Sequence, residues 1–275
     1  MTTVPVLING RCEHWVDALD RGLQYGDGLF ETLLVGDGHP FFWSEHLARL
    51  AEGCRRLAIP MPNSEILRQE AHQLCRESSS GSGVLKILLT RGVGGRGYRS
   101  PAEVHPTRVI SLHPLPPDLD SRRRQGIRVR LCQTPLGINP TLAGVKHCNR
   151  LEQVLAIQEW NDPDIQEGLM CDTDGYLVEG IMANLFWLKG KCAYTPKIDR
   201  CGVAGVVRAW VMGQLRQWNL EVHEVRVKPE VLLEADEVFA TNSVMGIVPL
   251  VEWPCRQHLW PIGEITRRLQ TAFWR

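Results

Sequence analysis

Lysine is scarce in this sequence, and the excess of one charge sign that marks many nucleic-acid-binding proteins is missing. Only six of the 31 basic residues are lysines, and 31 acidic residues bring the formal net charge to zero. This balance favours neither nucleic acid nor a membrane surface as a partner. We also expect no membrane partner because no apolar run approaches the roughly 20 residues that a membrane-spanning helix needs.

Cysteines and histidines at metal-binding spacing are missing too. The nine cysteines include no C-x-x-C pair, and an odd number without regular spacing is typical of reduced thiols. The histidines show neither H-x-x-x-H nor H-E-x-x-H spacing, so we expect no metal. Residues 1–5 carry neither the basic nor the apolar region of a signal peptide. Together with the thiols, this predicts a cytoplasmic protein.

The sequence does contain strand and helix patterns, mixed in both halves. Apolar residues make up 44% of the chain and charged residues 23%, which is enough apolar surface for a sizeable core. Mixing without strict βαβ alternation predicts an α+β or mixed α/β fold. The proline-rich stretch after residue 113 is typical of an extended connector. We therefore predict a smaller α/β domain over 1–113, a connector over 114–121 and a larger domain over 122–275.

Periodicity and turn residues predict the individual elements. Short apolar or alternating runs between turn residues predict strands at residues 6–11, 29–35, 84–90, 108–113, 127–131, 168–171, 176–179, 185–188, 221–227 and 237–240. Apolar residues at helical spacing predict helices over about 64–76, 150–160, 205–218 and 263–273. A further helix is predicted to be capped by Ser44 and ended by Pro60.

Residues 92–97 match the glycine pattern G-x-G-x-x-G literally. A dinucleotide site requires a helix to begin at such a loop, and residues 98–101, which include a proline, cannot open a regular helix there. We expect instead that the loop exposes Arg91, Arg96 and Tyr98 to an anionic substrate, because glycines let backbone and long side chains approach closely. A plain surface loop is the alternative.

Lys146 differs from the other five lysines in its surroundings. It follows the small and apolar residues 142–145 and precedes a predicted helix, whereas most of the others lie beside turns or prolines. Desolvation lowers the pKa of a lysine, which suits an amine nucleophile for a carbonyl cofactor. A structural or solvated lysine remains the alternative on this pattern alone.

Seven segments in this order resemble the fold-type-IV pyridoxal-phosphate enzymes, and within them most closely the aminodeoxychorismate lyases. The segments are YGDGLFET (25–32), HLARL (46–50), TRGVGGRGY (90–98), LAGVKHCNRLEQV (142–154), VEG (178–180), ANLF (183–186) and GVAGVVR (202–208). The resemblance spans nearly the whole chain and implies a two-domain, D-amino-acid-aminotransferase-like fold with pyridoxal 5'-phosphate as cofactor. It also implies that the larger domain carries the cofactor lysine.

The resemblance assigns residues to the cofactor. Lys146 is implied as the Schiff-base lysine that also moves a proton, Glu179 as the partner of the pyridine nitrogen, and Arg49 as a ligand of the phosphate. The backbone N–H groups of Val206 and Val207 are implied at the phosphate as well. Residues 241–243, and Asn242 among them, follow a strand and could complete this phosphate site, with a simple turn as the alternative.

The resemblance also implies a reaction, a substrate and a partner. We expect 4-amino-4-deoxychorismate to be converted to 4-aminobenzoate and pyruvate, a step of folate biosynthesis, by a homodimer. Thr32 is implied as a catalytic hydroxyl near the substrate, and the implied substrate-binding residues are Arg96, Arg91, Tyr98 and Tyr25. The alternative is a D-amino-acid or branched-chain aminotransferase, because the Phe30-Glu31 pair also occurs in many transaminases.

Overall fold

The computed structural model describes residues 4–77 and 80–274, which form two compact units. The first unit comprises Met1–Pro116 with Val145–Asn149, and the second comprises Pro117–Gly144 with Arg150–Arg275. The predicted lack of a signal region falls partly on residues 1–3, which lie outside the described residues. Within the described ranges, no helix has the length and apolar character needed to span a bilayer.

The first unit is an antiparallel sheet covered by helices. Its elements are β1 (Val6–Ile8), α1 (Arg21–Tyr25), β2 (Gly28–Gly36), β3 (His39–Pro40), α2 (Trp43–Leu57), α3 (Ser64–Glu77), β4 (Gly83–Thr90) and β5 (Thr107–His113). The strand order is β1-β5-β4-β2-β3. Leu85, Ile87 and Leu89 alternate along β4 and pack in one core with Leu50 of α2 and Leu67 of α3, because successive side chains of a strand point to opposite faces.

The second unit is built on a larger mixed sheet. Its elements are α4 (Leu119–Gln125), β6 (Ile127–Leu131), α5 (Leu151–Ile157), β7 (Glu167–Cys171), β8 (Leu177–Gly180), β9 (Asn184–Lys189), β10 (Cys192–Pro196), α6 (Val206–Gln217), β11 (Glu221–Val225), a 3-10 helix (Pro229–Glu234), β12 (Glu237–Asn242), β13 (Gly246–Trp253), a 3-10 turn (Pro254–Arg256), β14 (His258–Leu259) and α7 (Glu264–Phe273). The strand order is β11-β10-β9-β12-β13-β6-β7-β8, with β14 beside β13. Phe186 and Phe239 lie opposite each other on β9 and β12, and their rings stack 5.2 Å apart in the core.

Most of the predicted elements are confirmed, and the exceptions have local causes. The predicted Ser44 cap is wrong, because α2 already begins at Trp43, after Phe42 in the left-handed region. The helix predicted over 150–160 ends at Ile157. Among the described residues, the elements that the sequence patterns miss are α1, β3, α4, β10, β13, β14 and the two 3-10 segments. A proline inside an apolar run argues against a central strand, and Pro249 lies in the middle of β13.

Two parts of the domain prediction need correction. The extended connector over 114–121 is wrong in its last part, because Leu119 begins helix α4. Lys146 groups with the first unit instead of the larger domain. The reason is strand-like pairing: Phe30 N–H donates to the Lys146 carbonyl at 3.0 Å, and Cys148 N–H donates to the Gly28 carbonyl at 2.9 Å. The boundaries at 113 and 122 otherwise remain a prediction.

Candidate active site

Lys146 lies on a short segment that pairs with β2 in the first unit. An antiparallel bridge joins Leu29 to His147, and Val145, one residue before the lysine, is buried in the core of this unit. The Lys146 side chain is half-buried, and its Nζ lies 4.2 Å from the centroid of the Phe30 ring. An ammonium is attracted to a ring face at this distance. Backbone pairing and one aromatic ring therefore fix the position of the Lys146 amine.

Thr32 shares a strand face with Phe30. The two residues are two positions apart on β2, so their side chains point to the same side of the sheet. Thr32 is half-buried and lies opposite Lys86 of β4. The Lys86 Nζ lies 5.5 Å from the centroid of the same Phe30 ring. Phe30 thus has Thr32 beside it on the strand and the amines of Lys146 and Lys86 near its ring.

Glu31 is buried and has two basic partners from α2. His46 Nδ1 lies 2.6 Å from Glu31 Oε2, and the Arg49 guanidinium donates to both carboxylate oxygens at 2.9 and 2.5 Å. Burial acts to raise the pKa of Glu31, but the hydrogen bond of His46 and the charge of Arg49 outweigh it, and that pKa is lowered. Burial lowers the pKa of His46, and the charges of Arg49 and Lys146 lower it further against the effect of Glu31.

Arg49 is therefore held in one orientation by a bidentate ion pair. The Arg49 side chain is only 14% exposed. Paired arginine forks of this kind are geometrically specific. Its implied contact with a cofactor phosphate stays a prediction.

The predicted exposure of Arg91 is wrong. Its side chain is buried and donates to both oxygens of Asp27 and to the carbonyls of Leu57 and Ala58. These carbonyls lie at the end of α2, where helix geometry leaves acceptors unsatisfied. Arg21, which sequence reasoning missed, is the second buried partner of Asp27 at 2.9 Å. Burial acts to raise the pKa of Asp27, but the hydrogen bonds of Arg91 and Arg21 outweigh it and lower that pKa.

Arg21 also holds the glycine-rich loop. It donates to the carbonyls of Gly97 and Tyr98 at 2.9 and 3.0 Å, and its guanidinium lies 4.9 Å from the Tyr25 ring centroid. Tyr98 packs edge-on against Tyr25 at 5.5 Å while remaining 87% exposed. The predicted exposure of Arg96 and Tyr98 is confirmed, and contact of Arg96, Tyr98 and Tyr25 with a substrate stays a prediction.

In the second unit, Glu179 lies near the end of β8 in a network of backbone and amide groups. Its Oε2 accepts from Val203 N–H at 2.8 Å and from Asn184 Nδ2 at 3.4 Å. Asn184 Nδ2 also donates to the Val203 carbonyl at 2.8 Å. Gly202 has a φ of +85°, and a Cβ there would lie 3.3 Å from Glu179 Oε2. The carboxylate is thus buried and fixed, although its role with a cofactor stays a prediction.

The start of α6 has the features of an anion site. The predicted helix start is confirmed, because Gly205 is the N-cap and Val206 the first helical residue. Among the described residues, no side chain caps this helix, and the free N–H groups of a first turn attract anions. A Cβ on Gly205 would lie 2.1 Å from Asn184 Oδ1, so only glycine lets Asn184 approach. Val206 and Val207 are both buried at this end.

Asn242 forms a turn, which was the alternative in the sequence interpretation. Its Oδ1 accepts from the N–H groups of Val244 and Met245 at 3.0 and 2.7 Å. Its Nδ2 donates to the Met182 carbonyl at 3.1 Å. The side chain therefore closes the turn between β12 and β13, and a contact of Asn242 with the cofactor stays a prediction.

The residue before it, Thr241, is the better candidate for an anion ligand. Thr241 is 1% exposed, and its Oγ1 has no hydrogen-bond partner within residues 4–77 and 80–274. It lies opposite Asn184 on β9, the residue whose amide oxygen meets the Gly205 position at the start of α6. An unsatisfied buried hydroxyl costs about 1–3 kcal/mol. A ligand that accepts or donates there would remove this cost.

Sequence reasoning also missed Glu167, at the start of β7. It is 1% exposed, and its Oε1 accepts from the N–H groups of Gly168 and Ile181 at 3.0 and 2.9 Å. Its Oε2 has no hydrogen-bond partner among the described residues. Burial raises the pKa of Glu167 to about 7, and the charge of Glu179 contributes to this rise. No local sequence pattern reveals this residue, because its surroundings come from the turn between β8 and β9.

Comparison with known proteins places these features in a family. The sequence model of class IV aminotransferases matches residues 28–253. The chain belongs to this family. It is 45% identical to 4-amino-4-deoxychorismate lyase from Pseudomonas aeruginosa, whose crystal structure superposes with a TM-score of 0.91 over 97% of each chain. The aminodeoxychorismate lyase of Vibrio harveyi is 35% identical over 266 residues, which are 96% of this chain and 97% of that relative.

Aminotransferases of the same family are also similar. The branched-chain amino acid aminotransferase of Escherichia coli is 25% identical, and its crystal structure superposes with a TM-score of 0.85 over 98% of this chain and 93% of that one. These comparisons confirm the predicted fold-type-IV, mixed α/β class. Class IV enzymes use pyridoxal phosphate. The uncapped start of α6 and the buried hydroxyl of Thr241 fit the phosphate of this cofactor, because both offer unsatisfied polar groups.

Proposed function

We propose that the chain is a pyridoxal-phosphate-dependent lyase that converts 4-amino-4-deoxychorismate into 4-aminobenzoate and pyruvate. The observation that carries this proposal is the 45% identity, over 97% of both chains, to a lyase named for this substrate. The reaction removes the proton from the amine-bearing ring carbon and breaks the ether bond to the enolpyruvyl group. The ring becomes aromatic, and the departing enolpyruvate takes up a proton to become pyruvate, so no co-reactant is needed.

Lys146 is the residue we assign to covalent cofactor binding and to proton movement. When bound, pyridoxal phosphate supplies a protonated pyridine ring that withdraws electrons from the amine-bearing carbon. The Lys146 Nζ, which lies near the Phe30 ring, would hold the cofactor through its aldehyde, and as a free amine it would accept the proton of that carbon. Thr32 or Lys146 itself then returns a proton to the enolpyruvate.

Glu179 and the phosphate ligands hold the cofactor in this proposal. Glu179 pairs with the pyridine nitrogen, and its position is fixed by Val203 N–H. The phosphate is assigned to the N–H groups of Val206 and Val207 and to Arg49. Thr241 joins them, because its buried hydroxyl is unsatisfied among the described residues. Asn242, whose side chain closes a turn, contributes at most its backbone.

Arg96 is the residue we assign to substrate carboxylates. It is exposed on the glycine-rich loop, which Arg21 holds by its backbone carbonyls, and an arginine fork suits a carboxylate. Tyr98, two residues further along this loop, forms a ring pair with Tyr25. Arg91, by contrast, supports the loop through Asp27 and is not assigned to the substrate.

The decisive experiment compares two lysines near one aromatic ring. Lys146→Ala should abolish the visible absorption of the bound cofactor and lower turnover of enzymatically made aminodeoxychorismate by about 10²–10⁴-fold or more. Lys86→Ala is the matched control, because the Lys86 amine also lies near the Phe30 ring, and it should keep the absorption band. A Lys146→Ala protein that retains both band and turnover would refute the assignment.

The same assay separates the lyase from an aminotransferase. Wild-type enzyme should release 4-aminobenzoate and pyruvate in equal amounts from aminodeoxychorismate. Absence of both products, together with transfer of the amino group from a D- or branched-chain amino acid to a keto acid, would identify an aminotransferase.

The proposal extends to a homodimer in the cytoplasm. Helix α5 exposes three apolar side chains at helical spacing, Leu151, Val154 and Leu155, which are 75%, 45% and 55% exposed. Contiguous exposed apolar surface of this kind marks interfaces. The nine cysteines all lie in the described ranges and form no disulfide there, which suits a reducing compartment. Sedimentation of wild-type protein as a dimer and of Leu151→Glu as a monomer would support the α5 interface, whereas a monomeric wild type would refute it.

A further inference from the structure

The outer edge of the second sheet carries a cluster of three metal-ligating side chains. Strands β10 and β11 pair in parallel, with Cys192 opposite Glu221 and Tyr194 opposite His223. Residues two apart on a strand share a face, so these four side chains lie on one side of the sheet. The spacing rules of sequence analysis cannot detect this set, because strand pairing brings Cys192 next to residues 29 and 31 positions further along the chain.

The ligand atoms of the cluster lie close to the distances expected around one metal ion. His223 Nε2 lies 3.2 Å from Glu221 Oε2, and Cys192 Sγ lies 3.8 Å from the same oxygen. All three ligand atoms lie within 4.8 Å of one another. Zinc bonds of about 2.3 Å to sulfur and about 2.0 Å to nitrogen and oxygen give tetrahedral edges of roughly 3.3–3.6 Å. Small movements of the side chains would therefore bring all three atoms to bonding distance.

An aromatic stack orients the histidine of the cluster. The His223 ring stacks on Tyr194 at 5.3 Å, and Tyr194 stacks on Trp187 at 5.6 Å. Trp187 is only 2% exposed, so the stack is anchored in the core. Ligands whose rotamers are locked by packing make more precise metal sites. The imidazole thus has a restricted orientation beside Glu221 before any ion arrives.

We propose that Cys192, Glu221 and His223 bind one zinc ion at this sheet edge. A thiolate, an imidazole and a carboxylate are the ligand types that zinc takes, whereas magnesium and calcium prefer oxygen alone. Glu221 and His223 are exposed, which leaves an entry path and a fourth position for water. On binding, the Cys192 thiol loses its proton to solvent and the metal takes its place. The ion ties the edge strand β11 to β10 and is separate from the lyase chemistry.

Equilibrium dialysis of the cofactor-loaded protein against zinc, with a reductant that does not bind metals, tests the site. We expect one zinc per chain, and roughly tenfold or greater loss of affinity in each of Cys192→Ser and His223→Ala. Cys255→Ser is the matched control, because Cys255 is another exposed free thiol outside the cluster, and it should bind zinc like the wild type. Zinc binding that is absent in the wild type, or equal in all four proteins, would overturn the proposal.

X-ray absorption at the zinc edge identifies the ligand atoms directly, starting with the wild-type protein. The wild-type spectrum should require one sulfur at about 2.3 Å and nitrogen or oxygen ligands at about 2.0–2.1 Å. The Cys192→Ser protein should show no sulfur at that distance. A wild-type spectrum fitted by nitrogen and oxygen alone would overturn the assignment of Cys192.

Discussion

Two buried glutamates, one in each unit, have opposite pKa shifts. Glu31 on β2 and Glu167 on β7 are each 1% exposed, so both lose the same hydration. The pKa of Glu31 is lowered, whereas burial raises the pKa of Glu167 to about 7. The difference lies in their partners: Glu31 is paired with Arg49 and His46, whereas the partners of Glu167 within the described ranges are backbone N–H groups.

At Glu167 the backbone hydrogen bonds offset only part of the desolvation cost, so its pKa stays raised. At Glu31 the charge of Arg49 acts together with the hydrogen bonds of His46 and Arg49, and the cost of burial is outweighed. The two residues therefore contribute opposite pH slopes to stability. The contribution of Glu31 is present above its usual pKa of 4.5 and is lost as the pH falls. That of Glu167 is present below 4.5 and is lost as the pH rises through about 7.

The largest effect is expected when the charge of Glu31 is removed. Glu31→Gln keeps the shape of the side chain but leaves the mostly buried Arg49 without its counter-ion. Breaking a buried ion pair in this way costs about 3 kcal/mol, and urea unfolding at pH 7.5 should show this loss of stability. Both proteins should be free of cofactor, because bound cofactor would add a stabilisation that depends on its affinity for each protein.

Glu52→Gln is the matched control for this experiment. Glu52 forms an ion pair with Arg55 on the helix that also carries Arg49, but both side chains of this pair are exposed. Exposed pairs contribute little, so the urea midpoint should not change. An equal loss in Glu52→Gln and Glu31→Gln would show that burial does not distinguish the two pairs.

The second expected effect is a gain in stability at alkaline pH, when the charge of Glu167 is removed. The rise of the Glu167 pKa from 4.5 to about 7 corresponds to about 3 kcal/mol that the charged form costs. Glu167→Gln removes this cost, and its amide group loses about 1 kcal/mol for lack of an acceptor. We therefore expect the variant to be more stable than wild type by about 2 kcal/mol at pH 8 and no more stable at pH 4. Thermal unfolding across this range measures the difference.

A variant that is less stable than wild type at pH 8 would contradict the raised pKa of Glu167. Glu167→Ala serves as the control for packing, because it removes the charge together with the acceptor for Ile181 N–H. It should be less stable than Glu167→Gln at every pH. The gain in Glu167→Gln can then be attributed to charge alone.

Much of the fold could be predicted from local patterns, and the exceptions depend on partners distant in sequence. The periodicity of α2 and the alternation in β4 identify both elements, because each has one buried face. Strand β13 was missed because Pro249 argues against a strand, yet its pairing with β6 begins only at Leu250. Lys146 was assigned to the larger domain, because the residues next to it in sequence give no sign of the bridge between His147 and β2.

The candidate site was predictable only where the family resemblance named a residue. Resemblance pointed to Lys146 and Glu179, whereas the sequence pattern alone left a structural or solvated lysine as the alternative for Lys146. Arg91 shows the limit of reasoning from local sequence. An arginine next to glycines in a loop suggested substrate contact, but its side chain donates hydrogen bonds to Asp27 and to the Leu57 carbonyl at the end of α2. Glu167 and Thr241 have no sequence signal, because what distinguishes them is a buried oxygen atom without a hydrogen-bond partner among the described residues.

The smallest expected effect is a change in stability when a buried threonine hydroxyl is removed. Thr241, whose hydroxyl has no hydrogen-bond partner among the described residues, is compared with Thr195, whose hydroxyl has one. Thr241→Val removes the unsatisfied hydroxyl, so the cofactor-free protein should be stabilised by about 1 kcal/mol, while its affinity for pyridoxal phosphate falls. Thr195→Val is the matched control, because the equally buried Thr195 hydroxyl donates to the Leu185 carbonyl at 2.8 Å, and its loss should destabilise. Thermal unfolding without cofactor measures the change in stability. Unfolding with cofactor also reports its affinity, since a ligand that binds more tightly raises the midpoint further. A Thr241→Val protein that gains no stability without cofactor, and keeps the full cofactor-induced rise, would show that this hydroxyl neither lacks a partner nor meets the phosphate.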